Sequence, residues 1–97
     1  MNGMSLNEFL DKVYYGDEIE FTYRGTTYFV QGFPKNDKYQ LVVDYWDKTD
    51  GTEPQHDYLY NIICKSPYER MIEFKSAKIF SGKTICEIES EITVTFG

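Results

Sequence analysis

The chain has 97 residues with 16 acidic and 10 basic side chains, a formal net charge of -6, and 18% aromatic residues. This length predicts one folded domain over residues 1–97, because the chain is too short for two hydrophobic cores. The negative charge disfavours direct binding of DNA or RNA, and the lack of a long apolar run or signal peptide predicts a cytoplasmic protein without a membrane span.

A helix is predicted over residues 5–15. Ser5 and Glu8 have the S-x-x-E spacing of a capping box, in which the serine hydroxyl accepts a hydrogen bond at the start of a helix. Apolar residues then recur every three to four positions and give one apolar stripe. Gly16 is the expected end of the helix, since glycine adopts the left-handed conformation without strain.

A β-hairpin is predicted to follow this helix. Polar and apolar residues alternate from Asp17 to Tyr23, and such alternation is typical of a strand with one solvated face. Arg24-Gly25 then predicts a two-residue turn, which leads into a second strand over Thr26–Phe33. These two strands would be antiparallel neighbours.

A third strand is predicted over Lys38–Trp46, after a four-residue turn at Pro34–Asp37. This loop length would place Val43 opposite Tyr28, and the first turn would place Phe21 opposite Tyr28 on its other side. The three strands would therefore share one consistent register.

This register gives the predicted sheet two different faces. The apolar face, on which the first helix would lie, consists of Ile19, Phe21, Tyr28, Val30, Leu41 and Val43. The opposite face mixes aromatic, apolar and acidic residues: Glu18, Glu20, Phe29, Gln31, Phe33, Gln40, Val42, Asp44 and Trp46. Two interpretations of this second face remain open. Either the later helices cover it as a second layer of core, or it is an aromatic patch with acidic edges that contacts a protein partner.

The C-terminal half completes the predicted fold. A loop at 47–54 precedes a fourth strand over His56–Cys64, although apolar residues of that segment also fit a helix. Capping-box spacings predict a second helix at about 66–76 and a short third helix that starts at Thr84. Apolar and polar residues alternate over Ile92–Phe96, which predicts a final strand. The predicted class is α+β: an antiparallel sheet of four to five strands, one N-terminal helix and two short C-terminal helices.

The sequence contains no complete motif of a catalytic or cofactor site. Gly82-Lys83-Thr84 resembles the end of a phosphate-binding loop, but Ala77 stands where its first glycine belongs. The cysteines Cys64 and Cys86 are expected to be buried free thiols in a reducing compartment. No catalytic residue, cofactor or metal is predicted.

His56 is the only histidine, and it supports an alternative function. With Asp57 or Glu53 it would serve as the general base of a small enzyme or ligand-binding domain. No nucleophile accompanies it, so an exposed loop histidine in a structural domain is the competing interpretation.

Charge is unevenly distributed along the chain. The negative excess lies in the first 64 residues, whereas the second helix and its exit are positive: Lys65, Arg70, Lys75, Lys78 and Lys83. This basic stretch is interpreted either as a solvated face or as a stripe that contacts an anion.

Two stretches resemble short proteins of unknown activity from Firmicutes and their phages. Asp17–Gly25 with Tyr28-Phe29-Val30 resembles the E-I-E-F-x-Y-x-G-x-x-Y hairpin of that group, and Ile79–Ile92 resembles its I-x-G-K-[ST]-L-x-E-I segment. The resemblance covers about a third of the chain. It implies a phage or mobile-element context and no particular activity.

We therefore expect a non-enzymatic, acidic protein-interaction domain that binds a basic surface of a protein partner. In a phage context it would act as a nucleic-acid mimic that inhibits a nucleoprotein such as a CRISPR effector, because carboxylates on a rigid sheet can occupy a groove built for phosphates. The residues predicted to contact the partner are Glu18, Glu20, Phe29, Asp44, Trp46, Asp47 and Asp50.

Overall fold

The computed structural model describes residues 1–47 and 58–97, and the side chains of all of these except Trp46 and Asp47. In chain order the elements are α1 (Leu6–Tyr15), β1 (Ile19–Tyr23), β2 (Thr26–Lys35), β3 (Lys38–Asp47), β4 (Tyr60–Cys64), α2 (Pro67–Ser76), α3 (Ile85–Ile88), a 3-10 turn (Glu89–Glu91) and β5 (Ile92–Phe96). Within these residues the strands form one antiparallel sheet in the order β4-β3-β2-β1-β5. The predicted α+β class is confirmed.

Helix α1 has the ends that its sequence predicts. The Ser5 hydroxyl accepts a hydrogen bond from the backbone N–H of Glu8 at 3.1 Å. At the other end Gly16 adopts a φ of 78°, and its N–H donates to the carbonyl of Val13 at 3.2 Å. A left-handed residue at this position satisfies carbonyls that the helix itself leaves unpaired.

The β1–β2 hairpin has the predicted turn and register. Arg24 and Gly25 have φ values of 49° and 83°, which are the positive values that a two-residue turn of this hand requires. Phe21 pairs with Tyr28 and Tyr23 pairs with Thr26, as expected.

The predicted β2–β3 connection is wrong. Strand β2 continues through Pro34 to Lys35, and the turn is the two residues Asn36 and Asp37, with φ of 50° and 65°. Asn and Asp tolerate positive φ better than other side-chain-bearing residues, so they form the tight turn that suits twisted strands. Val43 therefore pairs with Val30 instead of Tyr28. Because the register shifts by two residues, every side chain keeps its predicted face.

The core lies between the helices and one face of the sheet. Its centre is a group of fully buried aromatic rings. The Phe9 and Phe21 ring centroids are 5.4 Å apart, and Phe80 lies 5.7 Å from Phe21 and 6.2 Å from Phe74. Offset and edge-to-face pairs at these distances stabilise a core beyond simple burial of area. The rings thus fix α1, α2 and the segment before α3 on the same side of the sheet.

The C-terminal elements follow the prediction with two corrections, at the start of β4, which is Tyr60 and not His56, and at Cys86. Thr84 and Glu87 form a complete capping box, α3 has four residues before the 3-10 turn, and Ile92 begins β5 as predicted. Ile92 is still buried, at 1% exposure. Cys64 is buried as expected, whereas Cys86 is only partly buried, and both are free thiols.

Candidate functional site

The candidate site is the face of the sheet that points away from the helices, which we call the outer face. Its described residues include Glu18, Glu20, Phe29, Gln31, Phe33, Gln40, Val42, Asp44, Asn61 and Ile63. The buried apolar side chains of α1, α2 and α3 belong to the core on the other face. The interpretation in which the later helices cover the outer face is therefore wrong.

One row of residues across the outer face combines an aromatic ring with two carboxylates. Phe29 on β2 pairs with Glu20 on β1 and with Asp44 on β3. Neighbouring strands are about 4.8 Å apart, so the backbones that carry the carboxylates are separated by about 10 Å. An aromatic residue lies midway between them. Pairing in one sheet thus fixes this arrangement without any loop.

The two carboxylates are held by short local hydrogen bonds. Asp44 Oδ1 accepts from the backbone N–H of Tyr45 at 2.9 Å, and Glu20 Oε1 accepts from the hydroxyl of Thr95 at 2.7 Å. In the described part of the chain neither carboxylate, nor that of Glu18, has a Lys or Arg partner, since the ion pair found there joins Arg24 and Glu91. The negative charges of Glu18, Glu20 and Asp44 are therefore not neutralised by a Lys or Arg side chain of the described residues.

The next two rows are more apolar and enclose a shallow hollow. Gln31 pairs with Val42, and Phe33 pairs with Gln40. Beyond them Ile63 on β4 is 49% exposed, a high value for an aliphatic side chain in a sheet. A hollow of about 230 Å³ lies on this face, lined by Glu18, Phe29, Phe33, Val42, Asp44 and Tyr58. Aromatic and aliphatic walls with carboxylates at the edge are typical of a protein-contact patch.

The outer face is not uniformly acidic, which the sequence analysis did not anticipate. Continuing the alternation of β2 and β3 places Lys35 and Lys38 on this face, paired beside the turn. They lie six residues along β2 from Phe29, or about 20 Å at roughly 3.3 Å per residue. The carboxylates occupy one end of the face and the two lysines the other.

The structure brings together four of the seven predicted contact residues: Glu18, Glu20, Phe29 and Asp44. Trp46 and Asp47 belong to β3 by their backbone, where Trp46 pairs with Thr27. Asp50 lies outside the described residues, as do His56, Glu53 and Asp57 of the alternative site. The described ranges hold no group of three or more His, Cys, Asp or Glu side chains placed to bind a metal.

Sequence reasoning missed the contribution of β4 to this face. The side-chain Oδ1 of Asn61 accepts a hydrogen bond from Nε2 of Gln40 at 2.9 Å. The exposed side chain of Ile63 extends the apolar area of the outer face. The alternation of Tyr60, Ile62 and Cys64 carried the signal, because it assigns the residues between them to the opposite face.

Comparison with known protein families, with curated proteins and with solved structures finds no match to this chain. None of the helices in residues 1–47 and 58–97 is long and apolar enough to cross a bilayer.

Proposed function

We propose that this chain is a non-enzymatic interaction domain whose outer face binds a basic surface of a protein partner. The observation that carries the proposal is the row Glu20–Phe29–Asp44, on a face that no helix among the described residues covers. The alternative site at His56 lies outside the described residues, so no geometry favours it.

The chemistry of this row matches an arginine side chain. A guanidinium group stacks on an aromatic ring and at the same time donates paired hydrogen bonds to a carboxylate. Glu20 and Asp44 place carboxylates on both sides of Phe29. A lysine ammonium group would also pair with the carboxylates, but it cannot donate two parallel hydrogen bonds to one carboxylate as a guanidinium does. We therefore expect the partner surface to present arginine to the carboxylates of this row.

The resemblance to phage-associated proteins supports a more specific form of the proposal. A nucleoprotein has arginine-rich grooves that hold phosphates, and carboxylates on a rigid sheet imitate the charge of those phosphates. The domain would then act as a nucleic-acid mimic that inhibits a nucleoprotein such as a CRISPR effector. In that case it should displace a fluorescent DNA oligonucleotide from the effector, and failure to displace it would restrict the proposal to other basic partners.

The general proposal is tested with a defined probe, a short arginine-rich peptide, titrated into the ¹⁵N-labelled domain. The charge-reversal variant Glu20→Lys with Asp44→Lys should weaken binding at least tenfold. The matched control is Asp11→Lys with Glu73→Lys, which makes the same change in net charge on exposed helical positions. The control should keep near wild-type affinity, and a lysine-rich peptide of equal charge should bind less tightly than the arginine-rich one.

Two outcomes would contradict the proposal. Equal losses in the two double variants would mean that only net charge matters. Amide shifts centred on the helices would place the peptide away from the outer face. Circular dichroism of each variant checks the fold, since Glu20→Lys also removes the side-chain acceptor of the Thr95 hydroxyl and leaves only the Glu20 backbone carbonyl at 3.2 Å.

A further inference from the structure

Arg70 on α2 is buried, with 4% of its surface exposed, although the sequence places it in a basic stretch interpreted as solvated or anion-contacting. Its Nη2 donates to the carbonyl of Tyr14 at 2.6 Å, and its Nη1 donates to the carbonyl of Gln40 at 3.4 Å. The guanidinium carbon lies 5.6 Å from the ring centroid of Tyr39. Arg70 therefore joins α2 to the end of α1 and to β3.

The positive charge of Arg70 has no counter-ion among the described residues. Both of its hydrogen-bond acceptors are neutral carbonyls, and the ion pair in this part of the chain involves Arg24 instead. Its Nε is buried and finds no hydrogen-bond partner in residues 1–47 and 58–97. Burial lowers the pKa of the Arg70 guanidinium from its ordinary value. Buried charges are normally paired with an opposite charge, so this arrangement calls for an explanation.

A hollow of about 230 Å³ lies beside Arg70, and three tyrosines line it: Tyr14, Tyr15 and Tyr39. Two glycines make room for the guanidinium. A Cβ atom on Gly32 would lie 2.7 Å from Nη1, and one on Gly16 would lie 3.0 Å from Nη2. The volume corresponds to about eight water molecules at roughly 30 Å³ each, which is room for an oxyanion that carries a small ring.

We propose that this hollow binds a small organic anion, whose carboxylate or phosphate group pairs with Arg70 and whose apolar body contacts the tyrosine rings. The planar guanidinium matches the geometry of either oxyanion. The ligand would supply a negative charge beside the Arg70 guanidinium, which lines the hollow. This site is separate from the acidic row of the outer face and does not depend on the proposed interaction function.

The wild-type domain is tested by titrating ¹⁵N-labelled protein with phenyl phosphate and with benzoate, which distinguish the two oxyanions. Benzyl alcohol is the control with a ring but no charge. Saturable shifts of the Gly16 and Gly32 amides are expected with at least one anion, with an affinity at least tenfold above that of benzyl alcohol. No saturable shift at millimolar anion, equal binding of benzyl alcohol, or shifts centred on Lys35 and Lys38 would overturn the proposal.

Variants then test the role of Arg70. Arg70→Met should weaken the anion about ten- to hundredfold, the range expected for loss of hydrogen bonds to a charged group. Because a change at a buried residue can unfold the chain, Tyr15→Ala gives a second test at a residue that is 74% exposed and lines the hollow. Its matched control is Tyr68→Ala, at a tyrosine that is 62% exposed on α2. Only Tyr15→Ala should weaken binding, and equal effects of the two tyrosine variants would contradict the proposal.

Discussion

Replacing Gly32 by alanine should destabilise the domain, although Gly32 does not have a positive φ. A Cβ atom there would lie 2.6 Å from the Cα of Gly16 and 2.7 Å from Nη1 of Arg70. The two glycine backbones cannot simply separate, because the N–H of Gly32 donates to the carbonyl of Gly16 at 3.2 Å. Gly16 is itself fixed as the left-handed end of α1. The strain must therefore move the guanidinium or break the contact between α1 and β2.

The size of the effect follows from three contributions. Overpacking a tight contact costs about 1–3 kcal/mol. Displacing Arg70 weakens a hydrogen bond from a charged donor, which contributes about 1.5–3 kcal/mol. Alanine also restricts the unfolded chain, which offsets about 0.4–1 kcal/mol. We expect a net loss of about 3 kcal/mol in the free energy of unfolding, and a fall in Tm of at least about 12 °C for a domain of this size.

Urea denaturation followed by circular dichroism measures this loss, and Gly25→Ala is the matched control. Gly25 has a φ of 83°, but no atom of the residues that the structure describes lies within 4 Å of its Cβ position, so alanine there should cost only the left-handed strain of about 1–2 kcal/mol. Gly32→Ala should therefore cost more than Gly25→Ala, the reverse of the order that backbone strain alone predicts. A Gly32→Ala variant within about 0.5 kcal/mol of wild type would refute the contact-based reasoning, since surface substitutions commonly stay within that margin.

Three further predictions concern single side chains. Asp37→Gly should raise the free energy of unfolding by up to about 1 kcal/mol in urea denaturation, because glycine relieves the left-handed strain at φ 65°. The backbone N–H of Thr84 donates to the Glu87 carboxylate and lowers the pKa of that carboxyl. The stabilisation of the fold by this hydrogen bond is therefore present above the unfolded pKa of about 4.3, and it is lost as the pH falls through the lower folded pKa. Glu87→Gln should thus flatten the fall of Tm with acid, and an unchanged slope would contradict this. Iodoacetamide should label Cys86 before Cys64, because burial covers the Cys64 thiol and raises its pKa. Mass spectrometry measures the order of labelling, and the reverse order would refute the burial argument.

Local signals predicted the elements of the fold, and the error at the β2–β3 turn shows their limit. Proline is normally excluded from a sheet interior, which favours a turn at Pro34, whereas the two residues that tolerate positive φ are Asn36 and Asp37. The outer face was nevertheless predicted correctly at Phe29 and Asp44, since an even shift of register preserves the faces.

The burial of Arg70 could not be predicted in the same way. On the sequence Arg70 belongs with four lysines that are all exposed. What buries it is the approach of Gly16 and Gly32, which belong to other elements and contact each other only in the folded chain. A contact between distant glycines leaves no periodic pattern in the sequence. The candidate anion site could therefore be recognised only from the structure and not from the sequence.

The separation of charges on the outer face allows direct contact to be distinguished from the long-range field. Lys35 and Lys38 lie about 20 Å from the Phe29 row, at roughly 3.3 Å per residue. The Debye length is about 8 Å at 0.15 M salt but about 30 Å at 0.01 M. Reversing both lysines to glutamate should therefore strengthen binding of the arginine-rich peptide at 0.01 M salt and change it less than about twofold at 0.15 M. The loss caused by Glu20→Lys with Asp44→Lys should persist at 0.15 M, because groups in contact are screened far less than separated ones. If both pairs of reversals lose their effect at the higher salt concentration, the peptide is attracted by the field of the domain and does not occupy the row.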